Sequence, residues 1–211
     1  MIVQKIESTD IFGANTYFYV DEETKHGFII DPCADADVLI NLILQNGWQI
    51  EKMLITHSHL DHIGSVLSLY EKLHIPFFGS TASQQYLSDS RLQAHFTDFE
   101  VLKNMRFFDD GDEIALTNAD TVSLKVISTP GHTLDSVVFY DEQNNIAFTG
   151  DTIFKNGVGR TDLQGSGGNN ALLIKSITQK ILTLPENTVL YPGHGESTTV
   201  LAEKRFLSTI F

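Results

Sequence analysis

The stretch ITHSHLDHIG, residues 55–64, places three histidines and an aspartate within six positions of a chain that has only eight histidines. It follows EKMLIT (51–56), a short apolar run with strand character, and leads into IGSVLSLYEKLH (63–74), which reads as a helix. His57 and His59 are two apart, the spacing that puts both side chains on one side of an extended chain. Asp61 and His62 follow at once in the turn. This is not the spacing of four expected when paired histidines sit on a helix. Imidazoles and a carboxylate at this density suit zinc or iron. Four donors this close are too many for one small tetrahedral ion, and two neighbouring ions fit better.

Three further segments repeat the arrangement of a strand giving way to a donor-bearing turn. VISTPGHTLDS places His132 there, IAFTGDTIF places Asp151, and TVLYPGHG places His194. A rigid sheet presenting side chains from its strand ends is a common way to hold a site. Gly131 and Gly193, each just before a histidine, let the backbone turn tightly or approach the site closely.

The remaining pattern alternates strands and helices in two halves without a sharp linker, a fixed-period repeat or a low-complexity segment. NTYFYV (15–20) and HGFIID (26–31) read as strands. DADVLINLILQNGW (35–48) reads as a helix stopped by Gly47. A helix is expected over 81–89, capped by Ser80 or Thr81. Residues 90–110 are readable as loop, helix or both. Strands return at 113–116, 122–129, 136–141 and 145–150. The glycine-rich stretch 155–169 reads as an ordered loop near a site, and helices are expected over 170–184 and 198–211. Four or five helices covering two sheets is the coarse expectation.

Composition narrows the function classes. The formal charge of −13 argues against a nucleic-acid backbone as partner. A single cysteine, Cys33, rules out an intrachain disulfide. No basic region followed by a long apolar run opens the sequence, and no apolar stretch is long enough to cross a bilayer, so cytoplasmic residence is expected without membrane association.

THSHLDH, TPGHT, GDTIFKNGVGRTD and YPGHG, in that order, span most of the chain. Together they resemble the metallo-β-lactamase-fold hydrolases, and the short glyoxalase II-like (hydroxyacylglutathione hydrolase-like) branch in particular. The resemblance implies an α+β fold, a four-layer αβ/βα sandwich of two facing mixed sheets, in a single domain over 1–211. It implies that His57, His59 and His132 hold one metal, that Asp61, His62 and His194 hold a second, and that Asp151 bridges them. Two divalent ions per chain are expected, zinc first, with iron or manganese also compatible. Such ions ionise a water near neutral pH and polarise a carbonyl. Asp61 and Asp151 are then the catalytic carboxylates, and neither a serine nor a cysteine nucleophile is required.

The substrate the resemblance implies is a small thioester of the hydroxyacyl-glutathione type. Full-length glyoxalase II carries an additional C-terminal helical region, whereas seventeen residues follow His194 here, which suggests a more open pocket. Arg160 and Lys155 are candidate substrate contacts, with a bracing role open for Arg160 and a pairing with Asp162 available to it. The loop lacks the spacing of a nucleotide P-loop. Cys33 reads as a small buried thiol, His26 as structural, His74 as a helix end, Trp48 as packing at a helix end, and Ser58 as a turn residue; His95 has no comparable partner string. The competing readings are a persulfide dioxygenase with one iron on His57, His132 and Asp151, suggested by GRTDLQG, and less so a phosphodiesterase, ribonuclease or lactonase. A small-molecule substrate is expected, and the oligomeric state is left open.

Overall fold

The computed structural model describes residues 1–10, 12–89, 98–117 and 122–209. His95 therefore lies outside the described residues, as does part of the ambiguous 90–110 segment. The first half runs β1 (Ile2–Glu7), β2 (Asn15–Val20), β3 (His26–Ile30), α1 (Ala36–Asn46), β4 (Gln49–Leu54), α2 (Leu60–Ile63), α3 (Val66–Leu73), β5 (Phe77–Ser80), α4 (Gln84–Ser88), α5 (Phe99–Asn104) and β6 (Arg106–Phe108). The second runs β7 (Glu113–Ala115), β8 (Ser123–Ser128), β9 (Val137–Asp141), β10 (Ile146–Gly150), β11 (Ile153–Phe154), β12 (Gly157–Val158), α6 (Asn170–Ser176), β13 (Val189–Pro192), β14 (Thr198–Thr199) and α7 (Val200–Leu207).

Two six-stranded sheets result, ordered β1-β2-β3-β4-β5-β6 and β14-β13-β10-β9-β8-β7. Both are mixed: β3, β4, β5 and β6 pair in parallel within the first, and β10 with β13 within the second, the other pairs being antiparallel.

Alternation along the strands builds the layers. In β2, Tyr17 and Tyr19 point into a core shared with Phe139 and Phe148 of the second sheet, while Phe18 and Val20 point to the opposite face, among Leu39, Ile43 and Leu69 of α1 and α3. In β9, Val137 and Phe139 face the shared core, while Val138 and Tyr140 join Leu173, Val200 and Leu207 under α6 and α7. Three cores thus separate four layers, helices outside and sheets inside. Each fully buried large apolar side chain contributes on the order of 1.5–3 kcal/mol. Buried tyrosines also cross between sheets: the Tyr17 hydroxyl donates to Pro192 O at 2.7 Å and that of Tyr19 to Asp141 at 2.6 Å.

Helix ends follow local chemistry. The Asp35 carboxylate accepts from the Asp37 and Val38 amides at the start of α1, a cap worth about 1 kcal/mol. Gly47 ends that helix at φ 64, and Trp48 packs on Phe18 with ring centroids 4.8 Å apart. His74 closes α3 at φ 55, and His26 bonds Glu51 at 2.8 Å.

Several boundaries differ from expectation. The helix expected over 63–74 starts only at Val66: α2 ends at Ile63, and Ser65 is held by Pro32 O and Ala34 O of the loop after β3. The helix expected over 81–89 opens as a tight three-residue turn before α4. The one expected over 170–184 widens into a π-type turn at Ile177–Ile181, where the Thr178 hydroxyl bonds Ile174 O and competes with the regular ladder. The expected loop at 155–169 begins with a small hairpin of β11 and β12. The expected helix over 198–211 starts only after Thr198 and Thr199 have joined β13 as an edge strand. Among the described residues, no helix is long and apolar enough to cross a membrane.

Candidate metal centre

The four donor-bearing turns leave the C-terminal ends of β4, β8, β10 and β13 and meet at one edge of the sandwich. Three groups of donors form there: His57, His59 and His132; His57, His62 and Asp151; and Asp61, His62 and His194. Within each group the donor atoms lie within 4.8 Å of one another. In the first trio, His59 Nδ1 lies 3.1 Å from both His57 Nε2 and His132 Nε2. In the other, Asp61 Oδ2 lies 3.7 Å from His62 Nε2 and 3.4 Å from His194 Nε2. Asp151 sits between them, with Oδ1 3.4 Å from His62 Nε2 and Oδ2 3.5 Å from both His132 Nε2 and His194 Nε2.

These separations match the edges of a ligand tetrahedron. Bonds of about 2.0–2.1 Å around a zinc-like ion put its ligands roughly 3.3–3.4 Å apart. Two buried atoms, His62 Nε2 and Asp151 Oδ1, make no well-formed hydrogen bond among the described residues and face each other across 3.4 Å. Buried polar atoms left so are costly, and a cation between them removes the cost. The residues present therefore fit a divalent metal.

Partners behind the rings present the correct nitrogen. The Thr56 hydroxyl donates to Asp31 at 2.6 Å, so at 3.1 Å it accepts from His57 Nδ1–H, leaving Nε2 bare for a cation. His62 Nδ1–H donates to Asp31 Oδ2 at 3.0 Å, and His132 Nδ1–H to the Arg160 backbone carbonyl at 2.6 Å. The backbone between the donors is equally constrained. A Cβ on Gly193 would collide with Asp151 Oδ1 and the His62 ring, and one on Gly131 with the backbone of Leu173.

Electrostatics divides the imidazoles. Burial drives His57 well below its ordinary pKa and His59 down to about 4, and the neighbouring imidazoles add to both shifts. Burial also opposes the charged forms of His62 and His194, but carboxylates outweigh it. Asp151 and Asp31 raise His62 well above the usual range, and Asp151 and Asp61 raise His194 to about 9. Burial would raise Asp151, yet His62 and His194 hold it well below the usual carboxylate range.

A cavity of about 630 Å³ opens onto this cluster. His59, Asp61, His132, Asp151 and His194 reach its wall, and Phe12, Leu60, Phe154, Val158 and Leu163 make the rest largely apolar. Arg160 also lines it, with its guanidinium held by Asp162 at 2.7 and 3.0 Å. Lys155 lies outside that lining and pairs with Glu196. Asp31, Asn15 and Asp135, which orient the donor turns, carried no motif in the sequence. A hint for Asp31 was its position beside Pro32 at the end of a strand, where it adopts φ 49.

Comparison with known proteins agrees with this geometry. The Metallo-beta-lactamase superfamily model matches residues 9–194. The chain is 34% identical over 194 residues to the probable metallo-hydrolase YqgX of Bacillus subtilis, covering 90% of this chain and 89% of that protein. It is 32% identical over 198 residues to the hydroxyacylglutathione hydrolase GloC of Haemophilus influenzae, covering 92% and 91%. Among solved structures, the BLEG-1 B3 metallo-beta-lactamase superposes with a TM-score of 0.83 at 32% identity, covering 97% of each chain. ETHE1 from Myxococcus xanthus gives 0.79 at 29%, covering 98% of this chain and 83% of that one. TTHA1623 in a di-iron-bound form gives 0.77 at 27%, covering 98% of each. Four layers around two mixed sheets, a donor cluster at their edge and these likenesses make the chain a member of the metallo-beta-lactamase superfamily.

Proposed function

We propose that the protein is a dinuclear metal-dependent hydrolase that cleaves a small thioester of the hydroxyacyl-glutathione type. The observation that carries the reading is Asp151, whose carboxylate reaches donors of both trios: Oδ2 lies 3.5 Å from His132 Nε2 and from His194 Nε2, and Oδ1 3.4 Å from His62 Nε2. His57, His59 and His132 would hold one ion, Asp61, His62 and His194 the other, and Asp151 both. Bound divalent ions supply Lewis acidity and an ionised water near neutral pH. Asp61, at the cavity wall and only partly buried, is placed to accept a hydrogen bond from the attacking water and fix its direction. Phe12, Leu60, Phe154 and Leu163 shield the acyl group from bulk solvent, and the Arg160 guanidinium at the rim is a contact for an anionic substrate. The net reaction adds water across the thioester and releases a carboxylate and a thiol. The likeness to GloC supports the substrate class.

A second reading is favoured by GRTDLQG at 159–165 and the likeness to ETHE1. It is an oxygen-dependent persulfide oxidation with one iron on His57, His132 and Asp151, and it assigns no role to His194. Metal content after purification without added metal, followed by a thioester panel and an oxygen electrode, separates the two. Two ions and thioester cleavage are expected; one iron per chain with oxygen uptake on a persulfide overturns the hydrolase.

A further inference from the structure

The first trio comes from only two chain segments, the turn after β4 and the turn after β8, and one side chain ties them together. Asp135 lies three residues beyond His132 and is buried to 2% exposure. Its Oδ2 accepts from the Ser58 amide at 3.1 Å, the Ser58 hydroxyl at 2.6 Å and the Ser83 hydroxyl at 2.8 Å. Its Oδ1 lies 3.2 Å from the Tyr86 hydroxyl, whose shorter bond, at 2.8 Å, goes to Ser166 O. Ser58 is the residue between His57 and His59. The Asp135 carboxylate therefore holds the one peptide whose orientation aims both rings, and does so from the segment that carries His132. A backbone bond nearby, Val137 N to Thr56 O at 2.9 Å, joins the same two segments one residue before His57, whereas the Asp135 carboxylate bonds the turn at Ser58 itself. Buried carboxylates without a cation are costly unless hydrogen-bonded, and the Ser58 amide and the Ser58 and Ser83 hydroxyls supply three donors here.

We propose that Asp135 is a positioning residue for the first metal position, setting the convergence of His57 and His59 on His132 through Ser58. The inference rests on the metal reading above and goes beyond it, because Asp135 belongs to none of the three donor groups and does not line the cavity. It also gives Ser58 a role, as the handle by which the turn is held.

The test compares zinc affinity by chelator competition with the melting temperature of the metal-free chain. Asp135→Asn keeps the shape of the side chain but offers one acceptor oxygen in place of two. Ser58→Ala removes one donor and leaves the carboxylate in place. Glu203→Gln is the control, since Glu203 is equally buried and accepts the Asn156 amide at 3.0 Å and the Thr198 hydroxyl at 2.6 Å, neither on the segments that carry His57, His59 and His132. Asp135→Asn is expected to weaken zinc binding about 10- to 100-fold, the usual effect of losing a group that orients a ligand, and Ser58→Ala about tenfold. Glu203→Gln is expected to keep wild-type affinity even where it lowers the melting temperature as much. If Asp135→Asn does not fold, Ser58→Ala carries the same comparison. Wild-type zinc affinity in the Asp135 and Ser58 variants, or an equal loss in Glu203→Gln, overturns the inference alone. A wild-type chain that takes up no zinc overturns the metal reading and the inference with it.

Discussion

The two donor trios differ in how they are enclosed. His57, His59 and His132 are 1%, 6% and 2% exposed, whereas in the second trio only His62 is fully enclosed and Asp61 and His194 keep 19% and 28% of their side-chain surface exposed. All three rings of the first trio are buried even though His59 and His132 reach the cavity wall, whereas Asp61 and His194 of the second open onto the cavity. Their anchors differ too. The first trio is tied by a buried carboxylate, Asp135. The His194 turn is tied across the sandwich by Asn15, whose Nδ2 donates to Pro192 O and Gly195 O, each at 3.0 Å, and whose amide donates to Gly193 O at 2.7 Å. The first position is thus built for retention, and the second trades burial for access to substrate.

Asp151 is the point where the comparison fails if it is removed, so Asp151→Ala carries the largest expected effect. Both ions should bind weakly, and kcat/KM on a thioester should fall by about a thousandfold, the scale of losing a group that stabilises developing charge. Two retained ions, measured by elemental analysis, would show that the trios do not depend on each other.

The next pair sharpens the asymmetry. His194→Ala should leave one ion per chain, because the first trio is intact. His57→Ala should leave less than that and should also lower the melting temperature, since it opens a cavity under buried neighbours. Equal metal content in the two variants would contradict the difference between trios.

Protons separate the trios next. In the metal-free fold, His59 is held near 4 and is neutral at pH 7, whereas His194 is raised to about 9 from 6.5 and is protonated. The stability His194 gives the metal-free chain is fully present below its unfolded value and is lost as pH rises through about 9. Metal uptake at the second trio must expel that proton, so its affinity rises across the same window. Titrating from about pH 8 to about pH 6 should release the second ion first. Simultaneous release, followed by metal content after desalting at each pH, would count against the asymmetry.

Asn15→Ala carries the smallest effect. It should weaken the second ion about tenfold and leave the first unchanged, read as a biphasic chelator titration in which only the weaker phase moves.

The donor side chains were legible because each sits within a few residues of a strand end, and THSHLDH packs four of them into one turn. The layered architecture was legible only through resemblance. Alternation in NTYFYV, where every residue is buried, cannot say which face meets which sheet. The anchors were scarcely legible, Asp31 alone being hinted at by its place beside Pro32 at a strand end. Asp31 reaches Thr56 and His62 across 25 and 31 residues, Asp135 reaches Ser58 across 77, and Asn15 reaches Pro192 across 177. Their partners are set by tertiary packing, and an aspartate or asparagine near a turn looks the same in sequence whether it holds a ligand loop or only its own backbone. Helix boundaries failed for a related reason: Ser65 and Thr178 end or distort helices through bonds that composition does not reveal.

The central claim is that two ions lie side by side with Asp151 between them. Anomalous diffraction from crystals of the zinc-loaded protein tests it most directly. The account predicts two peaks, one enclosed by His57, His59 and His132 and the other by Asp61, His62 and His194, each in contact with an oxygen of Asp151. A single peak within the first trio, with His194 turned away from any metal, would contradict it.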